Sequence, residues 1–137
     1  MTTARAALPV VHLYLGLVFM AASLILALWA YLLHRRRRPL PGPYWRMQTA
    51  ALALLGIQVL VGLSMLAIGL RPVPLHYLYA ALAIAAGVGQ LLLRPGGSLG
   101  RMLREEGALS ESGAFAILTL LAGLFALRLY MTGVGLP

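Results

Sequence analysis

The chain has 137 residues, of which 61% are hydrophobic and only 10% charged, and its mean hydropathy of +0.90 lies far above that of soluble domains. All eleven basic residues are arginine, set against three glutamates, for a formal net charge of +8. The arginines gather at the ends of apolar runs, which fits lipid headgroups and topology and speaks against nucleic acid, because no basic face with stacking aromatics accompanies them. Cysteine is absent, which excludes disulfides, thiolate metal sites and covalent c-type heme attachment.

In chain order, Met1–Leu8 carries one arginine and no Ala-x-Ala type cleavage site ahead of a soluble body. It reads as the start of a retained helix and not as a signal peptide. The apolar run Val10–Leu33 is about 36 Å long as a helix and crosses a bilayer with a little tilt. His34 and the run Arg35–Arg38 stop it. Pro39-Leu40-Pro41-Gly42-Pro43 cannot continue a helix, and Tyr44-Trp45-Arg46 supplies an aromatic and cationic interface anchor before a second span over about 47–70. Arg71-Pro72-Val73-Pro74 makes a tight turn into a third span over about 75–93. Arg94-Pro95-Gly96-Gly97 ends that span, and Ser98–Gly107 mixes Leu, Met, Arg and Glu like a short helix lying at the interface. Ser110 or Ser112 can cap a fourth span over about 112–131.

Four such spans use most of residues 1–137 and leave room for one transmembrane unit and no separate soluble domain. Eight arginines (35–38, 46, 94, 101 and 104) fall on one side of the expected topology and three (Arg5, Arg71, Arg128) on the other. The positive-inside rule puts the eight in the cytoplasm. The expected fold is therefore all-α, an integral membrane antiparallel four-helix bundle, N-out/C-out in a cell membrane, with glycines such as Gly16, Gly56, Gly62, Gly69, Gly87 and Gly123 allowing close helix approach.

Projected onto this topology, His12 at the outer end of the first helix and His76 at the outer end of the third share one depth, each within about one turn of the outer face. Read singly, a histidine near an interface is an amphipathic anchor. Read together, the two form a metal-ligating pair, and two imidazoles complete a six-coordinate b-type heme. His34 lies roughly 33 Å from His12 along the helix axis and reads as a headgroup contact. Arg71, just ahead of His76, and Arg128, near the outer end of the fourth helix, either partner heme propionates or simply snorkel to the interface. Gln58 falls about 18 Å below the outer end of the second helix, where an amide in hydrocarbon should face the interior and needs a partner. Gly62, one turn on, and Gly69 continue that stripe, which admits a flat macrocycle or plain close packing. Tyr77 and Tyr79 read as belt aromatics, or as hydrogen-bonding groups near a cofactor.

The succession Gln58-x-x-x-Gly62, then Gly69-Leu70-Arg71-Pro72, then His76, with His12 opening the preceding helix, resembles one four-helix half of heme A synthase over roughly residues 10 to 93. The resemblance implies that His12 and His76 pair around a heme, and that one half-unit works as a dimer or as a subunit. In that family an acid three positions before the first histidine and an arginine just after it mark the catalytic half. Here Pro9 and Leu13 occupy those positions, so the heme-holding features carry over without the catalytic acid.

The first expectation is a small heme-b-binding membrane protein acting in electron transfer or as a subunit of a respiratory membrane complex or homodimer, exchanging electrons with a quinol or an external carrier. The alternative is a cofactor-free structural or assembly subunit of a larger complex. A heme-modifying enzyme is the weakest reading, since no Asp or Glu lies within a span. Two glutamines, Gln58 and Gln90, are too few to line a transport path.

Overall fold

The computed structural model describes residues 2–98, 100–101 and 110–133, the first five as backbone only. Among them the chain is helical and has no strand. Its four long helices are α1 (Thr2–Arg35), α2 (Gly42–Ala67), α3 (Pro74–Leu93) and α4 (Glu111–Gly133). Each is long and apolar enough to cross a membrane. Their outward surface is apolar too, with Ile25, Leu28, Leu60, Leu63, Val88 and Ile117 all exposed, as expected where lipid is the solvent. The chain is thus consistent with a multi-pass membrane protein. The short helix expected over 98–107 lies largely outside the described residues.

The helix ends follow from local chemistry. α1 reaches back to Thr2, eight residues before the expected start, because Ala4, Ala6 and Ala7 favour helix and Pro9 is accommodated within it. α2 opens at Gly42 and not near 47: Pro41 is its N-cap and Pro43 sits in its first turn, where a missing N–H would be unpaired anyway. It also stops early, at Ala67. Gly69 takes the left-handed conformation (φ 85°), so that Leu70 N–H bonds Met65 O at 3.0 Å and Gly69 N–H bonds Leu66 O at 3.0 Å, a Schellman closure. α3 starts at Pro74 with Val73 as N-cap. Of the two candidate serines at α4, Ser110 caps: its Oγ accepts from Gly113 N–H at 3.2 Å.

α4 packs most closely on α1 and α3, and α1 on α2, while α2 and α3 make only a thin contact. Gly123 permits the α1–α4 approach, since a Cβ there would come within 2.9 Å of Leu24 Cδ2. Two ends can be told apart by contacts. At the arginine-rich end His34 meets Ser110 and Arg94 donates to Trp45 O; at the other end His12 meets His76.

The core is confined to one half. It begins at the arginine-rich end with Leu26, Ala30, Tyr44 and Phe115 and continues to Phe19, Leu55 and Ala126 near the helix midpoints. No residue of 7–18, 56–82 or 127–133 is buried. Tyr44, expected as an interface anchor, is instead fully buried (0% exposed), with its ring edge-on to Trp29, Trp45 and Phe115. The early start of α2 turns it inward. Gln48, one turn further along, donates to Gln90 Oε1, and Gln90 Nε2 donates to Leu118 O at 3.3 Å, so amides tie α2, α3 and α4 together.

Candidate functional site

At the end opposite the arginine-rich one, α1 and α2 interlock through two large residues and two glycines. His12 and Gly16 lie one turn apart on α1, and Gln58 and Gly62 one turn apart on α2. A Cβ on Gly62 would stand 3.2 Å from His12 Cε1, and one on Gly16 would stand 3.1 Å from Gln58 Nε2. Each glycine therefore makes room for the long side chain of the other helix. Gln58 Nε2 donates to the His12 carbonyl at 2.9 Å, using the second lone pair of an oxygen already inside a helix. The partner that Gln58 needed is thus the backbone of His12.

His76 enters from α3. The prolines at 72 and 74 restart the chain so that it falls in the first turn, with its N–H on Val73 O at 3.0 Å. Its ring centroid lies 6.1 Å from that of His12, with the planes tilted by 44°. The depth shared in sequence becomes proximity in space, across helices that otherwise hardly touch.

Thr132 on α4, which sequence reading did not single out, orients His76: Nδ1 lies 3.3 Å from Thr132 Oγ1. That hydroxyl has one hydrogen, directed to Arg128 O (3.0 Å) or Leu129 O (3.1 Å). With the hydroxyl hydrogen so directed, the tautomer protonated on Nδ1 donates to Thr132 and keeps a lone pair on Nε2. The only sequence signal was a hydroxyl residue four positions after Arg128, and serine and threonine commonly bond back to their own helix.

Two polar atoms here are buried without a partner, His12 Nδ1 and Gln58 Oε1. Of the remaining expected site residues, Arg71 lies exposed in the turn before α3. The Arg128 guanidinium stands 5.6 Å from the centre of the Tyr79 ring and 3.8 Å from Met131 Sδ. Tyr79 is therefore a cation–π partner, whereas Tyr77 is exposed. His34 sits at the far end of α1, bonded to Ser110, and does not join the pair.

A bare metal ion finds few ligands: among the described residues no group of three or more His, Cys, Asp or Glu is close enough to share one. Heme asks for less, since it brings four nitrogens and needs only axial ligands. Two imidazoles on one iron set their ring centres about 6 Å apart, from a metal–nitrogen bond of about 2.0 Å and about 1.1 Å from nitrogen to ring centre on each side. The His12–His76 ring centres, 6.1 Å apart, are within that range. The half of the molecule that holds them is also the half in which none of the described residues is fully buried.

Compared with family models, curated proteins and solved structures, the chain matches none.

Proposed function

We propose that this chain is an antiparallel four-helix membrane protein, N-out/C-out, that holds heme b between His12 and His76 near its outer face. It would serve in electron transfer or as a subunit of a respiratory membrane complex. The observation that carries this reading is the imidazole pair at 6.1 Å, with one ring oriented by Thr132 and the other left with a buried nitrogen unpaired. Oriented imidazoles backed by a second hydrogen bond are how proteins prepare metal ligands.

Within it, Gln58 holds the His12 turn in place and Gly62 lets the ring lie against α2. Arg71 and Arg128 are the cations within reach of the outer face to meet propionates. Bound heme would supply one-electron chemistry, with a quinol or an external carrier as partner. The cofactor-free packing subunit remains the second reading, supported by the apolar surface of the outer half, which a neighbouring protein would cover equally well.

The test is a dithionite-reduced minus oxidised spectrum of the protein purified in mild detergent, beside His12→Ala and His76→Ala at matched levels. Sharp α and Soret bands that both substitutions abolish or shift are expected. A colourless protein that stays silent after incubation with heme would rule the cofactor out and leave the packing subunit.

A further inference from the structure

The arginine-rich end holds a second candidate site, independent of the histidine pair. A cavity of about 540 Å³ opens between the end of α1 and the start of α4, with His34, Arg37 and Arg38 on one wall and Ser110, Glu111 and Ser112 on the other. His34 is fixed there. Its Nδ1 lies 2.7 Å from Ser110 Oγ, and its ring fills the space beside Gly113, where a Cβ would come within 3.1 Å of it.

The closure of α1 is what brings the two arginines to this wall. Arg38 N–H bonds Leu33 O at 2.9 Å and Arg37 N–H bonds His34 O at 3.0 Å, the same closure that ends α2. There the left-handed position is held by Gly69; here it is Arg37, with φ 50°. A β-carbon at that position costs stability that glycine would not. Strained non-glycine residues concentrate where their side chain is used.

Among the described residues its lining carries two guanidiniums against one carboxylate, and Glu111 is itself engaged in an interaction. The cavity opens where apolar spans give way to charge, the zone in which a bilayer carries its lipid phosphates. We infer that it binds the phosphate of an anionic phospholipid headgroup, held by Arg37 and Arg38 with the anchored His34 beside them. Paired guanidiniums suit a phosphate through forked hydrogen bonds, and basic pockets between membrane helices take such headgroups.

The test follows thermal unfolding of the full chain in neutral detergent by the fluorescence of Trp29 and Trp45, titrating phosphatidylglycerol, phosphatidylcholine or inorganic phosphate. Phosphatidylglycerol alone should raise the melting temperature. Arg38→Gln, at an ordinary backbone position, and Arg37→Asn, which tolerates the left-handed conformation, should each weaken the apparent lipid affinity about fivefold, the ~1 kcal/mol of one basic residue at an anionic surface. Arg36→Gln removes the same charge outside the cavity and should cost less than about twofold. An equal loss from Arg36→Gln would reduce the effect to diffuse surface attraction and overturn the site. So would equal stabilisation by phosphatidylcholine or by inorganic phosphate, or no stabilisation by phosphatidylglycerol.

Discussion

Two single residues hold the geometry of the two proposed sites. Thr132 is the only described side chain bonded to His76, and its removal tests whether that bond prepares a ligand or merely fills space. Thr132→Val keeps the volume and removes the hydroxyl beside His76 Nδ1. We expect heme affinity to fall about 10–100-fold, the usual effect of losing the partner behind a metal-bound histidine, measured by transfer of heme to an apoglobin acceptor. An unchanged transfer rate would make the contact incidental. At the other end Arg37 occupies glycine's place at a helix terminus. Arg37→Gly should raise stability by about 1 kcal/mol by removing the left-handed β-carbon, read as a higher melting temperature in detergent without lipid. The same change should weaken the response to phosphatidylglycerol, so that stability and binding move in opposite directions.

Between elements, the α2–α3 seam depends on polar bonds more than on packing. Those helices share only a thin contact, yet Gln48 and Gln90 meet across them at 1% and 2% exposure. Gln48→Leu leaves Gln90 Oε1 buried without its donor and should cost about 1–3 kcal/mol. Adding Gln90→Leu should recover part of that loss, because two apolar groups need no partners. Unfolding in mixed micelles checks both, and strictly additive losses would show that the amides act independently. Gln90 was visible in sequence as an intramembrane amide, whereas Gln48 was not singled out. Its pairing appeared only once α2 was seen to begin at Gly42.

Across the whole molecule, the asymmetry of the core matters most. Side chains are buried from the arginine-rich end to the helix midpoints, and none beyond them in 7–18, 56–82 or 127–133. A tightly packed half would hold the helices while the looser half receives a flat group or a neighbouring protein. Which face of the membrane each half meets is open to a direct measurement, because the chain has no cysteine of its own and any introduced one reports alone. On the proposed topology Arg71→Cys should react with a membrane-impermeant maleimide in intact cells, and Arg36→Cys only after permeabilisation. The reverse pattern would invert the protein and move the histidine pair to the cytoplasmic side.

Composition and apolar run length by themselves determined that the chain has four helices able to cross a membrane, because hydrocarbon requires about 20 apolar residues with every backbone group bonded internally. The spacing of His12 and His76 along those runs was also enough to place them at one depth. Proximity was another matter. It took the packing of α1 and α3 around α4 to set the rings 6.1 Å apart, and the facing glycines 16 and 62 to let α1 and α2 close over Gln58 and His12. Thr132 behind His76, Tyr44 in the core and Arg37 in glycine's conformation were equally silent in sequence. Each depends on where a helix stops or which neighbour it meets, and linear periodicity carries no information on either.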